Sequence, residues 1–511
     1  MNTYIHNYWS LYLDFLNDFK ALTYQGISIP YLCSYHTLVH SKETMRNELY
    51  SKKFSDHLTS KITERKEIQD VFSQFLQEHK KPIINPKQGK VALIMDKLLR
   101  FPNVVLSQYF NSGNTVIINP GSNKVPHSRV ISKAGKRKAR AVTNTISIKK
   151  FTRSPSVKPT LMHKSTFINL ADYKPEIQTS VAQLQGKAKK IVNTFKNHPL
   201  YSSALFQQKL LQQIEEVILR IEQSQRVLND VNLSCIIVSS TQATVNRIFA
   251  VVASQKGIPS ICMQHGIISS EFGYMPKIAE IDAVYGYFEK DWYVNLGAPT
   301  DSVEIIGHPR FDLKLSSSMT RESFAAKLGL DNRKKALLVI VRENYDIEKW
   351  KELVQTILKS NKLNVLVRDY PTKETNILLQ EFPSLYSTKN FQLYDILTNV
   401  DAVVAYPSTV GLEAMLIDKP VFILNQKFAE TDIITERSIV HMPDYSGYFD
   451  SLGEMVQQDP GKLGKLIIKY MSDSAAVHAT KKKREEFLSY VYPQSKPSAE
   501  RLKDLINRLT H

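Results

Sequence analysis

Apolar positions along this 511-residue chain recur in two rhythms. Up to about residue 85 the spacing is helical: "NYWSLYLDFLNDF" and "IQDVFSQFLQEH" repeat apolar side chains every three or four positions, with polar faces between. Residues 1–85 are therefore expected to form a helical N-terminal segment, a separate cap or interaction piece. Short continuous apolar runs follow. "KVALIM" (90–95), "KLLRFPNVVLSQYF" and "TVIIN" (115–119) predict strand, helix and strand, and long helices are expected at about 176–197 and 203–229. Strands over 235–240, 260–264, 283–287 and 303–307 then alternate with helices near 242–255 and at "EKDWYVNLG". A polar, turn-rich stretch over 311–335 marks a domain junction. Beyond it the pattern predicts strands at 336–341, 364–369, 391–395, 402–406 and 420–424, with helices near 346–360 and over 409–417. Such alternation implies an α/β fold of two tandem Rossmann-like domains, 86–315 and 330–490, closed by a C-terminal helix over 491–511. Ligands in open sheets of this kind bind at the carboxyl ends of the strands.

Length and composition agree with that division. A single hydrophobic core seldom organises so long a chain, and 42% apolar with 10% aromatic residues is ordinary for a globular protein. Cys33, Cys235 and Cys262 are too few and too scattered for a disulfide framework or a metal site, which implies a reducing compartment. The N-terminus lacks the features of a signal peptide, and no uncharged apolar run long enough to span a bilayer is present. A cytoplasmic location is expected.

Charge is concentrated. Between Asp96 and Asp172 there is no Asp or Glu, and fourteen Lys or Arg supply most of the formal +18. This basic insertion, 120–165, is either a solvated loop or a surface for an anionic partner. Thin aromatic interleaving and the lack of a nucleic-acid motif favour an anionic membrane face, touched by residues 124–164, over nucleic acid.

Two stretches carry candidate chemistry. In "ICMQHGIISSEFGYMPK" (261–277) a buried strand ends on Gln264-His265-Gly266, which by itself suits a core histidine before a turn as well as a functional one. In "AYPSTVGLEAMLIDKPVFIL" (405–424) Pro407 stops a strand, Ser408 or Thr409 can cap the helix that follows, and Gly411 allows backbone to approach a ligand closely. Free N–H groups and two hydroxyls at a helix start suit a phosphate, and Glu413 sits one turn in, where it could accept from a ribose diol.

The second stretch resembles the donor-binding segment of GT-B glycosyltransferases. "GAPTDSVEIIGHPRFD" (297–312) is similar to the end of the first domain in bacterial surface-polysaccharide transferases, including the CDP-glycerol glycerophosphotransferase and capsule-synthesis groups. In those families an H-G pair closes a strand of the first domain, as His265-Gly266 does here. The resemblance covers roughly residues 230–430. It implies transfer of a sugar, or a polyol phosphate, from a UDP-, CDP- or CMP-type donor to a surface polysaccharide or lipid-linked acceptor, at the inner face of the cell membrane. It implies His265 as the base that takes the acceptor proton, with Glu271 in reserve. Arg342, Arg368, Ser408, Thr409, Glu413 and His308 are the implied donor-binding residues. No cofactor and no metal are implied, since a convincing D-x-D pair and a His/Cys cluster are both lacking.

Departures refine this expectation. Retaining members carry an acid eight positions before the helix glutamate, where this chain has Ala405, so an inverting reaction is favoured. Asp418 stands where a glycine is usual and is expected to alter the turn, and Tyr370 replaces a histidine after Arg368. Two alternatives remain: a non-hydrolysing UDP-sugar 2-epimerase, whose acid/base carboxylates are not evident, and a catalytically inactive GT-B binding protein.

Overall fold

The structure, a computed structural model, describes residues 2–83, 89–111, 113–121, 166–312, 319–341, 347–368, 376–425, 447–493 and 496–510. The basic region 124–164, Arg342 and Tyr370 lie outside the described residues. Among the described residues, seven parallel strands form a first sheet: β1 (Lys90–Ile94), β2 (Thr115–Asn119), β3 (Thr166–Asn169), β4 (Leu233–Val238), β5 (Ser260–Met263), β6 (Ile281–Val284) and β7 (Val303–Ile305). Their spatial order is β3-β2-β1-β4-β5-β6-β7. Six more form a second sheet: β8 (Lys335–Ile340), β9 (Leu363–Arg368), β10 (Tyr386–Ser387), β11 (Ala402–Ala405), β12 (Val421–Leu424) and β13 (Val456–Gln457), in the order β10-β9-β8-β11-β12-β13. Both are doubly wound, and the order reverses between β1 and β4 and again between β8 and β11. In open sheets of this kind the strand ends at such switch points are where ligands bind. Every residue of β4, β5, β6, β11 and β12 is buried, because helices cover both faces, which is why these strands read as continuous apolar runs rather than alternations.

The N-terminal segment is not a detached cap. Eleven of the sixteen residues of helix Thr3–Asp18 are buried, and Trp9, Tyr12, Phe15 and Phe19 share one core with Ala92, Ile236 and the long helix Ala204–Asp230. Tyr12 stacks on Tyr35 with ring centroids 3.9 Å apart. At the other end the chain crosses back: helix Ser498–Thr510 sets Leu502, Leu505 and Ile506 against Leu93, Cys235 and Ile237 of the first sheet. No helix among the described residues is long and apolar enough to cross a membrane.

Two local expectations are corrected. A strand was expected over 391–395, but Leu393–Asn399 is a helix with Ile396 and Leu397 buried. Apolar residues at positions 393, 396 and 397 have helical spacing, and the sheet edge is filled instead by the two residues of β10. Asp418 does not alter the turn before β12. It adopts the left-handed conformation a glycine would take, with φ 66°, and Arg484 donates to both its carbonyl (2.9 Å) and its Oδ1 (2.9 Å). The guanidinium thus holds a backbone conformation that side chains resist by about 1 kcal/mol. Asp418→Gly is expected to stay within about 1 kcal/mol of the parent, exchanging the ion pair for relief of strain, whereas Asp418→Ala loses about 1–2 kcal/mol. Urea midpoints check this ranking; an alanine variant as stable as the glycine one would sink it.

Candidate active site

The first half of the site is built at the switch point of the first sheet. Just past β1, the Asp96 carboxylate accepts from Leu98 N (2.8 Å), Leu99 N (3.0 Å), Ser239 Oγ (2.5 Å) and Asn246 Nδ2 (3.3 Å), so it ties the ends of β1 and β4 together. Past β5, the His265 Nδ1–H donates to the Ser239 carbonyl at 3.2 Å. A carbonyl can only accept, which fixes the tautomer and leaves Nε2 with a free lone pair. The imidazole stacks on Tyr274, centroids 5.4 Å apart and nearly coplanar in tilt at 12°. Burial pushes its pKa below the ordinary histidine value, against the opposing pull of the Ser239 carbonyl and Asp96.

Gln264 explains why the strand ends on an amide. Its Nε2 donates to Gly266 O (2.8 Å) and Glu289 Oε1 (3.0 Å), while its Oε1 accepts from Tyr285 N (2.8 Å). The side chain therefore pins the turn after His265 to β6 and to the buried Glu289, whose pKa burial raises to about 7.

The second half comes from the second sheet. β11 ends at Ala405 and helix Thr409–Leu416 begins four residues on, with Ser408 at the cap position. The Ser408 side chain makes no capping bond, and its Oγ is buried without a hydrogen-bond partner. Thr409 reaches across the domains: its Oγ1 accepts from Ile267 N at 3.1 Å, and Ile267 itself lies in the core of the second domain. Gly266 keeps this crossing close, since a Cβ there would stand 3.0 Å from Thr409 Oγ1, tighter than an ordinary contact. The helix start and the imidazole strand thus meet directly.

Charge gathers beside this contact. Arg310, in the 3₁₀ turn Pro309–Phe311 after the first sheet, is 3.5 Å from Glu413 and donates to the Tyr285 hydroxyl (3.2 Å). Its Nε is buried without a hydrogen-bond partner. Glu413 also accepts from the Tyr394 hydroxyl (3.2 Å); burial raises its pKa, and Arg310, Tyr394, Arg100 and Arg368 oppose the rise. Arg368, at the end of β9, donates to Phe391 O (3.1 Å).

Of the residues expected from sequence, His265, Thr409, Ser408, Glu413 and Arg368 fall at the facing strand ends and helix start; Arg342 is outside the described residues. Three expectations are corrected. Glu271 is not a reserve base: its carboxylate accepts from Trp9 Nε1 (2.7 Å) and pairs with Arg65 (2.8 Å) inside the N-terminal core. His308 serves the turn before Arg310 rather than an open phosphate site, and its Nε2, like Ser408 Oγ, is buried without a hydrogen-bond partner. It is fully buried, its Nδ1 accepts from Arg310 N (3.1 Å), and burial holds it well below the ordinary histidine range, so it is a neutral ring that shapes the turn. Gly411 faces Phe449 rather than a ligand, with 3.2 Å available to a Cβ. Arg310 and Asp96 were missed. The G-H-P-R segment was the available signal for Arg310, but nothing local showed that its side chain would cross to Glu413.

Two doubly wound domains face each other at their strand ends, joined by a terminal helix that returns to the first. Each parallel sheet with its covering helices is a Rossmann-like α/β unit. A scan against models of known protein families finds no match, and a search of curated proteins finds none either. Among solved structures the chain is similar to a UDP-N-acetylglucosamine 2-epimerase, at 12% identity and TM-score 0.48, covering 83% of this chain and 96% of that one. It is similar to the Neisseria meningitidis UDP-GlcNAc 2-epimerase bound to UDP-GlcNAc, at 11% identity and TM-score 0.47, over 82% and 99% of the two chains. A third is the wall teichoic acid polymerase TagF, at 11% identity and TM-score 0.42, over 87% and 93%.

Proposed function

We propose that this protein is an inverting GT-B glycosyltransferase that moves a sugar, or a polyol phosphate, from a nucleotide-activated donor of the UDP, CDP or CMP type to a surface-polysaccharide or lipid-linked acceptor. One observation carries the reading: the Ile267–Thr409 contact sets an imidazole with a free Nε2 against a helix start that presents a buried, unpartnered hydroxyl beside an arginine with an unpartnered N–H. In the proposed reaction the acceptor hydroxyl gives its proton to His265 Nε2 as its oxygen attacks the transferred group. The bond from that group to the nucleotide phosphate breaks, and the electron pair leaves with the nucleotide. The N–H groups at the helix start, the Ser408 hydroxyl, Arg310 and Arg368 meet the charge that develops there. Arg342 and a membrane-facing basic region, 124–164, complete the proposal from sequence.

A panel of nucleotide sugars and CDP-polyols, incubated with membrane extract, tests it through nucleotide release and product identity. Inverted product with free nucleotide supports transfer. A 2-epimer of the sugar nucleotide with no release would replace it with the epimerase reading, and binding without any turnover with the inactive-scaffold reading. A pH profile adds a check. The base works as neutral imidazole and burial favours that form, so the acid limb of kcat/KM is expected to lie below the ordinary histidine value of about 6.5. A limb above that value would contradict the assignment.

A further inference from the structure

Glu271, displaced from the reaction, poses a question of its own. A carboxylate 2% exposed among aromatic rings is costly to bury unless its partners are well placed, and the N-terminal segment supplies two of them, Trp9 and Arg65. Phe272, next in the chain, packs against Tyr4, Tyr8 and Trp9, with centroids 5.9, 4.5 and 5.6 Å away. At the end of the same loop, Gln69 pairs reciprocally with the Lys277 backbone, accepting from its N–H (2.8 Å) and donating to its carbonyl (3.3 Å). The N-terminal segment therefore grips the loop at 271, 272 and 277.

Between those grips and the site lies an unbroken set of contacts. The 3₁₀ turn Glu271–Gly273 delivers Tyr274, whose ring stacks on His265 and whose hydroxyl donates towards Gly266 O (3.0 Å) and Ile267 O (3.1 Å). Ile267 N in turn donates to Thr409. We propose that the N-terminal segment, residues 3–79, is a brace for the site, and that Trp9, Arg65 and Gln69 are positioning residues that fix the His265 imidazole and the Thr409 contact through the 266–277 loop. None of the three touches the reacting atoms. The consequence for turnover rests on the role proposed for His265, but the placement can be tested without any substrate.

The test uses the full chain and three variants. Trp9→Phe keeps a ring and removes the N–H donor; Arg65→Gln removes the charge from the more exposed partner; Phe19→Leu perturbs the same core where it packs on Phe15, Tyr201 and Phe206. Peptide-resolved hydrogen exchange over 266–277 and the rate of His265 carbethoxylation by diethyl pyrocarbonate are read at equal distance below each thermal midpoint. In Trp9→Phe and Arg65→Gln the loop is expected to exchange at least about tenfold faster, the loss of one charged hydrogen bond, and His265 to react several-fold faster. Phe19→Leu should leave both unchanged. Equal behaviour of all three variants, or an unchanged His265 rate in the first two, would overturn the brace. Failure of the transfer assay alone would count against the proposed function and leave this result standing.

Discussion

Replacing His265 with alanine is expected to lower transfer by at least about a hundredfold and up to about ten-thousandfold, the range spanned by a positioned general base, while nucleotide affinity stays within about twofold. The separation follows from the geometry. The imidazole belongs to the first sheet, while the Ser408 hydroxyl, the helix start at Thr409 and Arg368 belong to the second, and Arg310, in the turn after the first sheet, is held by Glu413 and Tyr285 rather than by the imidazole. His265→Asn sharpens the experiment, because its amide can still donate to the Ser239 carbonyl, as Nδ1–H does at 3.2 Å. Both variants should lose turnover equally, and the asparagine form should keep the parental melting temperature. An asparagine variant that retains turnover would remove the base. A loss of folding in both would return the residue to the core.

Arg310→Met is expected to cost about 3–5 kcal/mol at neutral pH, because it leaves the Glu413 carboxylate, 5% exposed, with the Tyr394 hydroxyl but without its nearest cation. Adding Glu413→Gln should recover most of that loss, since a buried pair removed together is far less costly than one member removed alone. The sign with pH is fixed. Glu413 has a folded pKa already raised by burial, and loss of Arg310 raises it further. The protonated carboxyl is the cheaper form to bury, so the deficit of the single variant should be largest above the Glu413 pKa and shrink as pH falls through it. Urea midpoints at pH 5 and pH 8 measure this. A deficit that grows on acidification, or a double variant no better than the single, would show that Arg310 and Glu413 do not stabilise one another. Either variant should also weaken nucleotide binding, read by thermal shift with UDP, CDP, CMP and GDP.

The sheets were legible because burial on both faces writes itself locally. The runs at "CIIVSS", "SICMQ" and "AVVAY" are continuous and apolar, and each is a strand whose neighbours in space follow from handedness and strand order. At 391–395 the same reasoning failed, because a five-residue window cannot separate a strand from the first turn of a helix when the deciding residues, Ile396 and Leu397, lie just beyond it. Asp418 shows a third case: the residue type pointed to a changed turn, and Arg484, 66 positions later, keeps the turn as it is.

By itself the sequence determined the α/β class, the two tandem sheets, the turn after His265 and the helix start at Thr409, since each depends on periodicity or on a residue's own backbone preference within a few positions. Only the tertiary structure decided which side chains work together. It carried Glu271 into the N-terminal core beside Trp9 and Arg65, buried His308 as a neutral ring, and brought Arg310 to Glu413 and Thr409 to Ile267. The contacts made by Glu271, Arg310 and Thr409 join residues about 100 to 260 positions apart. Such pairings are fixed by how whole layers pack, and no local pattern of hydrophobic and polar residues encodes them.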